Sequence, residues 1–529
     1  MFDTILRNGL IIDGTGRAAY GGDIGVTGDS IAAIGDLSDA DAAEVIDVAG
    51  FVVAPGFIDI HTHSDAVLLA DGRADSQVLQ GVTSELGGQC GFSFAPVRDA
   101  SAMERWMIGR LPGVNVAWSS FGEYLDVLER QDLGVNFLAH VGHGALRAAV
   151  MGDEKRAIRS DEIAAMERLL DASLDEGAWG MSTGLEYWPG LGATTDELAQ
   201  LCAIVSAYGA MHATHVRNRD RFYDLGFGEA LAIGRVANVR TQISHIQPKY
   251  GRPAHAMAHT LGMIDHARSI GVDVAFDIIP HDWSHTGVAS MLPSWAREGG
   301  VEKLLHRLGD PGMRLRLRDN PTPMWRIVLD EHWDKVYFLR ASNKQIIGRS
   351  VAEIASERDR DAWDTIFDLL LEEGEDALHM LWTSQSFFEE DLEMALRHDQ
   401  CAVMSDTMAL GVSGPTVDLI GSLSGFDWTV RFLKTYVQDK ALLSIEDGIR
   451  RITGLPAERI GLKDRGRLGV GMKADLVVLD LASLGLKGSI AEPKRHPSGV
   501  RHVVLNGMLA VRDGERCNVS SGRILRRGA

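Results

Sequence analysis

The stretch Phe57-Ile58-Asp59-Ile60-His61-Thr62-His63-Ser64-Asp65 decides how the rest of the chain is read. An apolar run ends in two histidines spaced i, i+2, and side chains two apart on a strand point to the same side. His61 and His63 can therefore grip one metal ion from the end of one strand, and neutral imidazole is a common zinc ligand. Val53-Ala54-Pro55-Gly56, just before it, supplies a turn into that strand. The pair alone is weak, because histidines also serve as ordinary polar side chains. It becomes a site only if further ligands stand at the ends of other apolar runs.

On the N-terminal side, residues 4–14, 23–26 and 30–35 read as short strands broken by glycine turns, and residues 474–480 and 500–507 repeat the pattern near the other end. Strands at both ends imply one β-sandwich module assembled from residues 1–55 and 463–529. Between them, strand-like runs alternate with amphipathic helices. Ser160 is placed to cap a helix with Ile163, Met166, Leu169, Leu170 and Leu174 on its apolar face. Thr194-Thr195-Asp196-Glu197 has capping-box spacing ahead of Leu198, Leu201 and Ile204. This α/β alternation favours a distorted (β/α)8 TIM barrel over residues 56–462. An open doubly wound sheet is disfavoured, since no glycine-rich dinucleotide fingerprint follows the first strand. Residues 286–349, rich in Arg, Pro and Trp, break the rhythm and read as an insertion covering the site.

The 529 residues are ample for a large core, and a 45% hydrophobic, 24% charged composition is ordinary for a globular protein. A net charge of −20 argues against a nucleic-acid surface. Cys90, Cys202, Cys401 and Cys517 are too few and too scattered for a disulfide framework, which favours a reducing compartment. No basic segment followed by an apolar core opens the chain, and no apolar run reaches membrane-spanning length. The expected location is the cytoplasm, with a small molecule as partner and neither nucleic acid nor membrane. Subunit number stays open, a homo-oligomer included.

More candidates stand where apolar runs end: Cys90 in residues 84–91, His140 and His143 in residues 137–144, His215 after Met211-His212-Ala213-Thr214, His245 after residues 239–244, and Asp406 after residues 401–405. In a parallel barrel every strand C-terminus opens on one face, so residues far apart in sequence would converge there. Zinc takes imidazole nitrogen, thiolate and carboxylate, and a catalytic site keeps one position for water, whose pKa it lowers to about 7. A carboxylate beside the metal can carry a proton to the leaving group, the role that suits Asp406. A histidine near the substrate carbonyl can stabilise an oxyanion, the role expected of His143. Singly, each residue has a plainer explanation. Cys90 could be a small buried hydrophobe and Asp406, before Thr407, a helix cap or turn. His140 could be a structural hydrogen bonder, and His212 a core or supporting residue. The joint order, a His-x-His pair and then His, His and Asp, points to a metallohydrolase.

That order is the signature of the amidohydrolase superfamily, and its details resemble the N-acyl-D-amino-acid deacylase (D-aminoacylase) branch over nearly the whole chain. The similarity is carried by Gly87-Gly88-Gln89-Cys90-Gly91-Phe92-Ser93, Val141-Gly142-His143-Gly144, Ser182-Thr183-Gly184-Leu185-Glu186-Tyr187, Thr214-His215-Val216-Arg217, Ile243-Ser244-His245, Ser405-Asp406 and Arg495-His496-Pro497-Ser498-Gly499-Val500. Many superfamily members bridge two metals with a carboxylated lysine on the fourth strand; this branch uses a cysteine after the second. The resemblance implies that Cys90, His215 and His245 hold the tighter zinc. His61, His63 and Asp406 would form a second, weaker metal position or act without metal, with Asp406 as general acid/base. Glu186, at the fourth strand, would approach the metal or substrate or else orient its neighbours.

The chain departs from the branch where substrate is read. His-Lys after the sixth-strand histidine is replaced by Ile246-Gln247, Tyr-Pro-Tyr after the seventh strand by Ile279-Pro280-His281, and residues 407–426 contain no Arg or Lys. Gln247 and His281 thus join Glu186 as candidate substrate contacts, in a pocket that Trp283, Trp295 and Trp325 either line or merely support by packing. The expected activity is zinc-dependent cleavage of a linear amide in an N-acylated amino acid or amine. One rival, a cyclic-amide or imide hydrolase of the dihydroorotase and hydantoinase type, wants a fourth-strand lysine, and residues 180–190 have none. The other, a non-catalytic scaffold, should have lost ligands that this chain retains.

Overall fold

Eight short parallel strands close the barrel that carries the candidate residues: β1 (Phe57–Asp59), β2 (Val82–Gly87), β3 (Asn136–Ala139), β4 (Gly180–Gly184), β5 (Met211–His215), β6 (Arg240–Ile243), β7 (Val274–Ile278) and β8 (Cys401–Val403). They are seen in a computed structural model that describes residues 1–103, 111, 113–152, 154–321, 324–419 and 421–528. Pairing runs β1-β2-β3 and β4-β5-β6-β7-β8, all parallel. The β3–β4 seam is joined by the Trp179 N–H to the Ala139 carbonyl, and Val141–Gly142 pairs with β4 just beyond it. The barrel closes at the C-terminal ends of β1 and β8, where the Asp406 N–H donates to the His61 carbonyl (3.1 Å) and the His63 N–H to Thr407 (2.7 Å). Three candidate ligands, His61, His63 and Asp406, thus sit on the closing seam itself.

The strands are buried on both faces, so they lack the apolar–polar alternation of a half-exposed sheet. Helices clothe the outside. Helix Thr195–Ala207 begins as its spacing implies, the Glu197 N–H donating to Thr194 Oγ1. Helix Ser160–Asp175 starts one residue earlier than expected in its capping: Arg159 is the N-cap, and its N–H donates to Glu162.

Both termini build one nine-stranded sheet. Phe2–Ile11 pairs with Tyr20–Thr27, Ala42–Asp47 and Val52–Pro55, and Val52–Pro55 pairs with Leu476–Leu479, which continues into Val500–Leu505, Met508–Arg512 and Glu515–Arg516. Its core includes Leu6, Ile24, Val26, Ile31, Val53, Leu476 and Val478. The last residues leave this sandwich: Gly522 bonds Leu133, and Arg523 and Leu525 bond Phe137 beside β3.

The insertion is larger than residues 286–349. Trp283–Gly287, Leu381–Gln385 and Val336–Arg340 form an antiparallel sheet in that order, and one apolar core, separate from the barrel's, runs from Val288 to Trp382. Its second half carries amphipathic helices such as Ala362–Glu373, whose pattern imitates the barrel's own helices.

Candidate metal centre

The expected donors meet at the C-terminal mouth of the barrel. Cys90 Sγ lies 3.3 Å from His61 Nε2, 3.6 Å from His215 Nδ1 and 3.4 Å from His245 Nε2. Asp406 Oδ1 lies 3.4 Å from His61 Nε2 and 3.2 Å from His63 Nε2. Two overlapping groups result, His61, His63, Cys90 and Asp406, and Cys90, His215 and His245, with donor atoms in each group within 4.8 Å of one another. Cys90 belongs to both, a sharing the assignment of separate ligand sets had not anticipated.

The donor set fits a zinc ion. With Zn–S near 2.3 Å and Zn–N near 2.0–2.1 Å, tetrahedral geometry sets sulfur and nitrogen about 3.5 Å apart, as the three Cys90 distances do. Burial alone would push the Cys90 thiol up, but the imidazoles of His61 and His245, with hydrogen bonds at His215 and His245, hold it well below the ordinary thiol range. Burial likewise opposes ionisation of Asp406, yet the His63 hydrogen bond and the His61 charge keep its carboxyl below the usual carboxylate range. The group is thus poised as thiolate and carboxylate, the forms that bind a metal.

The backbone is bent to achieve this. Cys90 (φ 53°), His245 (φ 34°) and Asp406 (φ 52°) are all left-handed, a conformation that costs non-glycine residues of order 1–3 kcal/mol and clusters at functional sites. Gly88 (φ 68°) passes so close to β3 that an added Cβ would stand 2.0 Å from the His140 carbonyl, so only glycine lets the Cys90 loop cross there. Asp277 on β7 pins β6's ligand, accepting from the His245 N–H at 2.7 Å and from Gln242 at 2.9 Å.

Glu186 supports the centre from behind. Its carboxylate sits 2.9 Å from His215 Nε2 and 2.6 Å from Lys249 Nζ. A carboxylate can only accept, so His215 Nε2 carries the proton and the Nδ1 lone pair faces Cys90, a carboxylate–histidine support typical of metal ligands. Burial would raise the Glu186 pKa, but Lys249 and His215 together drive it well below the ordinary value. Lys249 also donates to the Met324 carbonyl (3.1 Å) and lies 4.8 Å from the Trp325 ring centre, so the insertion clasps this relay. Lys249 was missed in the sequence because it stands two positions beyond the replaced pair.

Other expectations resolve differently. His143 Nε2 is held 2.9 Å from Glu197, which also takes Arg147 at 2.6 Å, and all three are buried. His143 is therefore outside the donor groups, an imidazole that burial keeps neutral, hydrogen-bonded to the Glu197–Arg147 ion pair rather than turned to the mouth. Gln247 is fully buried and straps the backbone of Ile279, donating to its carbonyl (2.7 Å) and accepting from its N–H (3.3 Å); it is a loop fastener rather than a substrate contact. His281 pairs with Asp427 at 2.9 Å but does line a pocket beside Asp406. His140 and His212 are core imidazoles that burial keeps neutral, with pKa values of about 3. Trp283 lines the pocket, Trp325 supports Lys249, and Trp295 packs under Arg316. His285, unmarked in the sequence, stands in that pocket too and feels the charges of Asp406 and His63.

Comparison with known proteins identifies the family. Residues 44–511 match the amidohydrolase family. The chain is 33% identical over 532 residues to D-aminoacylase from Alcaligenes xylosoxydans xylosoxydans, covering 100% of this chain and 98% of that one. It is 34% identical over 537 residues to N-acyl-D-glutamate deacylase from the same organism, covering 100% and 97%. Among solved structures, N-acyl-D-glutamate deacylase from Bordetella bronchiseptica, complexed with zinc and a phosphonate mimic of the reaction tetrahedral intermediate, aligns with a TM-score of 0.80 at 29% identity over 99% of each chain. A barrel that gathers these donors, in a chain alike from end to end with such deacylases, belongs to the amidohydrolase family.

Proposed function

We propose that the protein is a zinc-dependent amidohydrolase that cleaves the linear amide bond of an N-acylated amino acid or amine. The observation that carries this is Asp406: a carboxylate 22% exposed at the open edge of a buried thiolate–imidazole cluster. Zinc, when bound by such residues, supplies Lewis acidity and lowers the pKa of water towards neutrality. Cys90, His215 and His245 would hold it, leaving a position for water, with His61, His63 and Asp406 completing the second group around the shared Cys90.

Asp406 takes the proton of the attacking water as the carbon–oxygen bond forms, and returns it to the amide nitrogen as the carbon–nitrogen bond breaks, leaving a carboxylic acid and an amine. His63, 3.2 Å away and 30% exposed, orients the carboxylate at the mouth. The Glu186 carboxylate, anchored by Lys249, occupies the fourth-strand end where a cyclic-amide hydrolase would need its lysine. The test is Asp406→Asn with zinc content and turnover of N-acetyl amino acids measured together. Zinc should remain bound while turnover falls by about 10²–10⁴. Near-normal activity in that variant would remove Asp406 from the reaction.

A further inference from the structure

Beside Asp406 lies an open cleft walled by the insertion and by the loop between Leu476–Leu479 and Val500–Leu505. Trp283, Leu339, Leu423, Ile490 and Pro493 give it an apolar wall. Its floor adjoins the reaction centre: the Ser424 hydroxyl donates to the Ser405 carbonyl, and Ser422 lies 3.4 Å from the Thr407 hydroxyl, flanking Asp406 on either side. Neither Lys nor Arg is among the lining residues.

The lysines and arginines near the centre do not line this cleft. Lys494, next to Pro493, donates to the carbonyls of Thr416, Val417 and Leu419 at 2.7–3.1 Å. Lys249 is held by Glu186, and Arg219 donates to the His245 carbonyl at 2.6 Å. Of the two lining histidines, His281 is paired with Asp427, and Thr383 spends its hydroxyl on the Ser284 carbonyl. His285 remains as the polar side chain available to a ligand, and burial lowers its pKa, so it offers a hydrogen bond rather than a charge. An anionic group entering here would lose its water without gaining a lysine or arginine partner from the cleft wall, beside the Asp406 carboxylate and inside a chain of net charge −20.

Building on the amidohydrolase reading, we infer that the substrate is an amide whose amine portion is uncharged, such as an N-acyl amine or an N-acyl amino-acid amide, rather than an N-acyl amino acid with a free carboxylate. The reaction balances as before: water adds, the carbon–nitrogen bond breaks, and the products are a carboxylic acid and a neutral-bodied amine.

Matched pairs test this on the zinc-loaded enzyme: N-acetylphenylalanine against N-acetylphenylalaninamide, and N-acetylleucine against its amide, in both enantiomers, with N-acetylphenethylamine as a third arm. The carboxamides should exceed the free acids in kcat/KM by tenfold or more, mainly through KM. Leu339→Arg, which adds a cation to the pocket wall, should shift that ratio at least threefold towards the acids. A free acid hydrolysed as fast as its amide, or a ratio unmoved by Leu339→Arg, overturns the pocket assignment while leaving the hydrolase intact. Failure to hydrolyse any compound overturns the amidohydrolase reading as well.

Discussion

Glu186 does two things at once: it fixes which nitrogen of His215 is bare, and it accepts the charge of Lys249 in a region with little water. Removing either partner leaves the other in a worse state than both together, because a buried charge without its counterpart is costly. Glu186→Gln and Lys249→Met should each weaken zinc binding by about 10–100-fold, the usual effect of deleting a group that orients a metal ligand. Competition with a chromophoric chelator reads this directly, independent of turnover. Wild-type affinity in Lys249→Met would show that the ammonium is not needed to hold the relay. That these side chains would cluster was legible in the sequence, since each follows an apolar run and strand ends of a parallel barrel must converge. Lys249 and His285 were not, because both sit in segments without strand periodicity, whose direction only the assembled chain sets. His143 looked reactive for the opposite reason: its partners Glu197 and Arg147 are distant in sequence, and Glu197 read as part of a helix cap.

Strand β2 poses a separate problem, beneath the donors rather than among them. Glu85 is fully buried with neither carboxylate oxygen hydrogen-bonded, and it pairs in register with Asp59 on β1. Burial, reinforced by the charges of Asp59 and Asp65, pushes the Glu85 pKa well up; burial also raises Asp59 to about 7 and Asp65 to about 6. Raised folded-state values mean that the folded protein holds more protons than the unfolded chain. The associated stability is present below the unfolded carboxyl values, near pH 4, and is lost as pH rises through the folded ones. Wild-type protein should therefore lose thermal stability as pH rises from about 4 through about 7 and beyond, and Glu85→Gln, which cannot ionise, should lose less. The gain at the alkaline end should be about 1–3 kcal/mol, the range for a buried polar group without partners. Thermal melts of the metal-loaded proteins across that range check it, and parallel curves would show that Glu85 titrates in the folded protein as it does in the unfolded chain. The barrel strands were readable because short runs of apolar residues alternate with amphipathic helices; the extent of the inserted module was not, because residues beyond 349 return to amphipathic helices indistinguishable from the barrel's own layer.

Across the molecule, the metal centre ties together strand ends spread from His61 to Asp406, including the seam where β1 meets β8. Three of those donors hold left-handed backbone, so the folded chain carries strain at the site that a bound ion can offset. Binding to the folded state alone stabilises by RT ln(1 + [L]/Kd), about 2.7 kcal/mol when free zinc exceeds its Kd a hundredfold. Stripping the metal with a chelator should therefore lower the unfolding midpoint, and zinc should restore it. Single substitutions divide the effect. Cys90→Ser removes a donor common to both groups and should abolish most of the zinc-dependent shift. His63→Ala touches one group, at its more exposed edge, and should leave most of the shift in place. Differential scanning fluorimetry with and without zinc separates the two outcomes. Equal losses in the two variants would mean that the groups bind as one indivisible site, and a full shift in Cys90→Ser would mean that the thiolate is not the hinge between them.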